Sequence, residues 1–411
     1  MFPRNAFVLT CLLSLALLVL WHGPSRGRGQ SPSSAAGLFT PVVIPVGADP
    51  GPVAVADLNH DGRLDIIAAN PNAGTLIVLL GDGQGHFRPA PGSPFPAGHL
   101  PNDIGIGDFD GDGNLDLVIP NHQTPYVTLL LGDGKGGFRA APRSPFATTS
   151  RPHPHGVAVG RFCGAAMPLD VVIDSWGSNQ VELLVGDGKG NLTVGPLFPA
   201  GPGSDAPLRA ADFDRNGTLD IVMPNLAIGH WNVNTVSILL GDGKCGFRPA
   251  PGSPFAAGAE PWSVAVGDLN RDGIPDLVIL PYGPKVSDPR QVAATVLLGD
   301  GKGGFAPLPG SPFSLPGCES PYRAAVGDVN GDGIPDFVVT CMQSDSILLF
   351  RGQEQGGFQV VPIKVPSGGS KGVVTERGVA LADLTDKGSD DIVLTNGDAG
   401  TVTVLLSSRG R

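Results

Sequence analysis

Several things are missing from this chain, and each absence narrows what it can be. No stretch keeps a 3.6-residue apolar period long enough to make a helix, so helical bundles and alternating α/β folds are excluded. No basic stripe runs anywhere and the formal charge is −11, which excludes nucleic acid and acidic membrane surfaces as partners. Apolar segments long enough to approach a bilayer are absent after the first two dozen residues. Cysteine is scarce: five in 411 residues, four of them beyond residue 11 (Cys163, Cys245, Cys318 and Cys341). An even, small number permits disulfides without demanding them.

Gly and Pro are abundant, 61 and 41 residues, about a quarter of the chain. That composition borders on low complexity. The 41% hydrophobic content argues against disorder, because it comes in short runs such as Leu64–Ala69 and Val236–Leu240, each bounded by Gly, Asp or Pro. Runs of four to eight apolar residues between turn signals are buried strands. The class is all-β.

The start of the chain differs from the rest. Residues 6–21 follow Arg4 as one apolar segment of 16 residues, short for a membrane span and suited to a signal-peptide core. Residues 1–30 are therefore expected to be a signal peptide and short linker, either cleaved or kept as an anchor, since the following Gly/Ser/Pro-rich stretch has no clean cleavage site. Cys11 lies inside this core after Thr10, a poor context for lipidation. The mature chain is expected to be secreted, periplasmic or at the cell surface, monomeric, and without a membrane span.

One pattern then repeats. A strand leads into an Asp-rich loop, a second apolar strand and a variable loop. A third strand ends in Gly-Asp-Gly, and a Phe opens a fourth strand. The Asp-rich loops begin at Asp57, Asp108, Arg161, Asp212, Asp268, Asp328 and Asp383, with steps of 51, 53, 51, 56, 60 and 55 residues. Seven units of four strands with no helical crossover imply a seven-bladed β-propeller of four-stranded antiparallel blades over residues 38–411. The last unit stops after its third strand at Thr401–Leu406, while an orphan strand-like segment, Phe39–Val46, precedes the first unit. The N-terminal strand is expected to complete the last blade and close the ring, hiding two open edges.

Five loops share Asp-x-[Asn/Asp]-x-[Asp/Asn]-Gly-x-x-Asp. Their candidate metal ligands are Asp57, Asn59, Asp61 and Asp65; Asp108, Asp110, Asp112 and Asp116; Asp212, Asp214, Asn216 and Asp220; Asp268, Asn270, Asp272 and Asp276; and Asp328, Asn330, Asp332 and Asp336. Side-chain oxygens at positions 1, 3 and 5 converge when the chain curls, and Gly at position 6 supplies the backbone conformation of that curl. Position 7 varies freely (Arg63, Asn114, Thr218, Ile274, Ile334), as expected if only its backbone takes part. These loops hold 16 of the 38 acidic residues. Packed without counter-ions they would repel, and hard oxygen donors in this number select Ca²⁺. Five such ions would bring the formal charge from −11 to −1. The third loop has Arg161, Cys163 and Ala165 in the ligand positions, with Asp170 one residue out of register. In the seventh, Thr385 and Lys387 replace two ligands between Asp383 and Asp391. Neither is expected to take the ion; the Lys or Arg cation is expected to neutralise the acids instead.

The Gly-Asp-Gly-x-Gly-x-Phe turns (Gly81–Phe87, Gly132–Phe138, Gly299–Phe305) are followed by strands and carry no Lys-Ser/Thr, so they are not nucleotide loops. Their Phe is expected to pack between blades. Asp-rich loops alternating with these turns resemble FG-GAP/VCBS repeats, found in the integrin α-subunit head and in exported bacterial proteins. The resemblance spans about residues 38–411 and implies a seven-bladed propeller with structural Ca²⁺ in the first-to-second-strand loops. It carries function only loosely, because propellers host many.

Connectivity puts the Asp-rich loops on one face of the disc. The opposite face collects the remaining Trp and Tyr residues: Tyr126, Trp176, Trp231 and Tyr282 in second-to-third-strand loops, Trp262 and Tyr322 at first-strand starts. Around the axis on that face lie Gly51, Asn102, His155, Trp262, Tyr322 and Arg377. Exposed aromatics grouped on one face are a recognition signature for sugar rings or a protein partner. The expected function is a non-catalytic recognition or adhesion module for a carbohydrate or extracellular protein. The competing expectation is a polysaccharide-active lyase or hydrolase, for which the candidates His155, Asp174, His230, Arg290 and Arg377 have no spacing that forces them together; His153 likewise has no evident third partner. A purely structural role in an envelope assembly is a third possibility. Cys318 and Cys341 fall on this face within unit six, where a disulfide is expected; Cys163 and Cys245 fall on the Asp-loop face of neighbouring units, and their pairing is left open.

Overall fold

Short apolar runs closed by Gly and Asp become strands because nothing else satisfies their backbone. In the computed structural model the described residues are 37–47, 49–149, 154–175, 178–203, 206–226, 233–282, 292–318, 320–342, 344–366 and 378–408. The apolar leader, His153, Trp176, His230, Trp231, Arg290 and Arg377 lie outside them.

The strands form seven antiparallel sheets. Blade 1 is Val53–Ala56, Asp65–Asn70, Thr75–Gly81 and Phe87–Pro89. Blades 2 to 6 repeat that order, their innermost strands being Gly105–Gly107, Val157–Gly160, Arg209–Ala211, Pro261–Gly267 and Pro321–Gly327. Blade 7 contributes Val379–Ala382, Asp391–Asn396 and Thr401–Ser407, and its outer strand is Phe39–Pro45, paired residue for residue from Phe39↔Ser407 to Pro45↔Thr401. The ring closes as the orphan segment implied.

Closure is also written in the core. Seven hydrophobic clusters occupy seven blade interfaces, whereas an open row of seven blades would have only six. The seventh joins blades 7 and 1 through Ile66, Leu79, Val393 and Val404, all fully buried. Second strands such as Asp65–Asn70 and Asp391–Asn396 are buried along their whole length because each is covered by a blade on both faces. Their runs are therefore continuously apolar rather than alternating. At the rim, Phe95 meets Phe138, Phe198 meets Phe247, Phe255 meets Phe305 and Phe313 meets Phe358, each pair bridging neighbouring blades with ring centroids 5.2–5.6 Å apart. The turn Phe thus packs between blades as expected.

A second device was not evident from the repeat. In blades 1, 2, 4 and 5 the outer strand breaks at a Ser-Pro step. The Ser hydroxyl accepts the third-strand N–H at the gap: Val78 to Ser93, Leu129 to Ser144, Ile238 to Ser253 and Val296 to Ser311, at 2.9–3.1 Å. This fills a ladder position that would otherwise be left unpaired.

Candidate functional site

The five full Asp loops share one geometry. The first Asp accepts the N–H of the position-6 glycine, at 2.9, 3.1, 2.9, 2.9 and 2.7 Å for Gly62, Gly113, Gly217, Gly273 and Gly333. Those glycines have φ between 77° and 86°, a region that L side chains avoid. The position-5 side chain accepts the position-7 N–H, as in Asp61 with Arg63 (2.9 Å) and Asp332 with Ile334 (2.9 Å). Position 7 is chemically free because its backbone does the binding.

The curl brings oxygens together. Ligand atoms of Asp108, Asp110 and Asp116 lie within 4.8 Å of one another, as do those of Asp212, Asp214 and Asp220. Oxygens spaced so leave room for a hard cation at its usual 2.3–2.6 Å from each, and no soft donor is present. The donor set fits Ca²⁺. In the other three loops Asn supplies position 3.

The ninth-position Asp does more than the sequence pattern suggests. Both oxygens of Asp65 are engaged by backbone, one by Leu58 N–H and one by Gly81 N–H, each at 2.9 Å. The same clamp recurs at Asp116, Asp220, Asp276 and Asp336. It also recurs in the two degenerate blades: Asp170 holds Cys163 and Gly186, and Asp391 holds Leu384 and Ser407. Because it survives where the other ligands are gone, this carboxylate has a structural duty of its own, tying the loop to the third strand. Burial pushes Asp65, Asp116, Asp220 and Asp276 up to about 6, partly offset by the clamp N–H groups and reinforced by neighbouring Asp residues. Burial likewise pushes Asp336 up to about 7. Fully buried carboxylates held beside other carboxylates are what a cation would relieve.

The degenerate loops are held otherwise. The Arg161 guanidinium donates to the Met167 carbonyl, and Cys163 is disulfide-bonded to Cys245 of blade 4. Blade 3's loop is thereby stapled to its neighbour at a position where other blades have only a hydrogen bond, such as Gly190 N–H to Phe109 O (3.0 Å) and Gly303 N–H to Phe213 O (3.1 Å). In blade 7, Lys387 Nζ donates to the Ser407 carbonyl at 3.4 Å. Among the described residues it forms no ion pair with Asp383, so direct neutralisation by Lys387 is not what the geometry displays. The expected Cys318–Cys341 disulfide is present within blade 6.

On the opposite face Tyr126 and Tyr282 are partly exposed. Trp262 and Tyr322, expected to be exposed, are buried at 7% and 4% accessibility. The innermost strands of blades 5 and 6 begin early, at Pro261 and Pro321, and pull both rings into a cluster with Ala206 and Leu226, against which Tyr282 and Met342 pack. The cluster reaches across the ring's centre. His155 of blade 3 meets Trp262 of blade 5 (5.5 Å between centroids), and Asp103 of blade 2 pairs with Arg209 of blade 4 at 3.0 Å. Asn102 Nδ2 donates to the His155 carbonyl at 3.3 Å.

His155 and Asp174, 19 residues apart in the sequence, are brought together. The wholly buried Asp174 accepts the backbone N–H of His155 (2.7 Å) and of Gly156 (2.8 Å), and its other oxygen faces His155 Nδ1 at 3.1 Å. The ring of His122 lies 5.1 Å away. The available signal was a carboxylate in the fifth place of a second strand, Asp170–Ser175, where the other blades carry Ala69, Pro120, Pro224, Leu280, Thr340 and Thr395.

Comparison with known proteins gives a consistent picture of the fold. An FG-GAP-like repeat model matches residues 57–119 and 224–279, and an FG-GAP repeat model matches 320–360. No curated protein matches the chain. Among solved structures, virginiamycin B lyase from Staphylococcus aureus is similar at 13% identity, covering 90% of this chain and 99% of that one with a TM-score of 0.54. BBS1N in complex with ARL6DN is similar at 11% identity (91% and 98% covered, TM-score 0.57). A functionally unknown protein from Desulfotomaculum acetoxidans is similar at 14% (79% and 92% covered, TM-score 0.52). At such identities the likeness is one of fold alone.

Proposed function

This chain is an FG-GAP repeat β-propeller, and from that premise we propose that it is an exported, calcium-loaded recognition module for a carbohydrate or extracellular protein ligand. The observation that carries the calcium part is the repeated curl, which in two blades gathers three carboxylates within 4.8 Å and buries the ninth-position Asp in all five full loops. The ions serve the scaffold. They neutralise one face and hold the loops that link first to second strands.

The recognition part is supported by an asymmetry. The Asp-loop face is repetitive, while the opposite face varies from blade to blade and carries Tyr126 and Tyr282 partly exposed. Tyr presents apolar area with a polar tip at little entropic cost, which suits a binding surface. The test is a glycan and extracellular-protein binding screen with the Ca²⁺-loaded chain. A specific ligand whose binding is lost in Tyr282→Ala or Trp231→Ala supports the reading. Turnover of any bound ligand would replace it.

One observation favours a catalytic alternative, a polysaccharide-active lyase or hydrolase. The His155–Asp174 pair breaks the repeat, and a buried carboxylate facing Nδ1 orients an imidazole for proton transfer at Nε2. Product release from a polysaccharide panel, abolished in His155→Gln, is the outcome that selects this reading.

A further inference from the structure

Two arginines reach the axial region from innermost strands, and they are not treated alike. Arg209 has its carboxylate, Asp103 of blade 2, at 3.0 Å. Arg323 has none. Its guanidinium carbon lies 5.2 Å from the Tyr322 ring centroid and 6.0 Å from that of Trp262, and among the described residues no carboxylate pairs with it. Its Nη1 is buried without a hydrogen-bond partner among the described residues. Beside it, Trp262 is 7% exposed, and its Nε1 is likewise buried without a partner. Glu260, two residues before Trp262 and itself buried, does not supply the acceptor.

Buried donors without acceptors are rare in folded proteins, and a buried cationic donor is costlier still. Here two occur side by side on adjacent blades, one an indole N–H and one a guanidinium N–H. Both want an acceptor and one wants negative charge. A planar guanidinium beside an N–H donor is matched best by a carboxylate, as Arg209 and Asp103 demonstrate within the same ring. The chain's own charge of −11 works against a polyanion or dianion. Arg323 is partly exposed as a residue although its Nη1 is buried, so its side chain offers the line of approach from solvent.

We propose that Trp262 Nε1 and Arg323 Nη1 form the anchor of a ligand site at the axial cluster, and that the ligand is a monocarboxylate on an otherwise uncharged body, such as an acidic sugar unit. This rests on the recognition reading above and names the group recognised. The stacking of Arg323 on Tyr322 holds the guanidinium in place, and Trp262 contributes only its edge because its faces are packed against Tyr282, Tyr322 and His155.

The test is calorimetric titration of the Ca²⁺-loaded full chain with sodium glucuronate and, as the matched neutral ring, glucose. The variants are Trp262→Phe, which keeps the ring and removes the N–H, and Arg323→Met, which keeps the stem and removes the charge. Glucuronate should bind, each variant should weaken it about tenfold or more, and glucose should give no heat. The ¹H–¹⁵N resonance of the Trp262 indole, read in the unmutated protein, should shift on adding glucuronate, which keeps the test intact if a variant folds poorly. No binding of glucuronate, equal binding by both variants, or a high-resolution structure with one water bridging the two donors at saturating glucuronate overturns the proposal. A ligand that emerges from the binding screen while glucuronate stays silent would leave recognition standing and remove only this anchor.

Discussion

Removing the metal should reverse the direction in which pH acts on stability. Without a cation, Asp65, Asp116, Asp220 and Asp276 sit at about 6 and Asp336 at about 7, against an ordinary 3.8. A carboxyl raised in the folded state favours folding while it is protonated. The penalty is absent below about pH 4, grows as pH rises, and is complete above about pH 7. Moving one carboxyl from 3.8 to about 6 corresponds to about 3 kcal/mol; halved for the solvent that reaches the loop rims, this is about 1.5 kcal/mol each. With about 2 kcal/mol for Asp336, raised further, the five carboxylates amount to roughly 8 kcal/mol, comparable with the whole net stability of a typical domain. In excess chelator the melting temperature should therefore be higher at pH 5 than at pH 7.5. In excess Ca²⁺ the order should invert, because the ion competes with protons for the same oxygens and is lost on acidification. Differential scanning fluorimetry over pH 4.5–8 in both conditions reads the effect. Identical pH profiles with and without Ca²⁺ would refute the reasoning, since the buried carboxylates would then have some other counter-charge.

Other outcomes follow from single features. Asp391→Ala in blade 7 strands the N–H groups of Leu384 and Ser407 and should cost about 2–5 kcal/mol while leaving the bound-metal count unchanged, as read by urea denaturation alongside metal analysis. The double variant Cys163→Ser/Cys245→Ser opens an 82-residue separation and should lower stability by up to about 4 kcal/mol. Its thermal shift should be the same with and without Ca²⁺ if the staple works independently of the ions. Deleting Phe39–Pro45 uncovers the edge of Thr401–Ser407 along seven paired positions, and light scattering should then report association through that edge rather than a stable monomer.

Much of the architecture could be read from the chain because a repeat states its own rules seven times over. The Gly at position 6, the apolar second strands and the missing fourth strand of the last unit each pointed to one geometry, and Phe39–Pro45 took the place left for it. What escaped reading was whatever depended on the third dimension between blades. Trp262 and Tyr322 looked like surface aromatics because they stand next to loops, but early entry of their strands buries them. Asp103 with Arg209, and His155 with Trp262, meet across the axis from non-adjacent blades, a proximity that no sequence spacing encodes. His155 with Asp174 was in principle visible, a carboxylate standing where the other blades carry none. The clamp role of the ninth-position Asp was hidden by the ligand pattern, and only its persistence in blades 3 and 7 separates the two duties.

The account stands most directly on what the loops hold. Elemental analysis of the purified chain, dialysed against metal-free buffer after loading, should find about five calcium ions per molecule, one for each complete Asp loop. A metal-free protein that is nonetheless fully folded at neutral pH would contradict it.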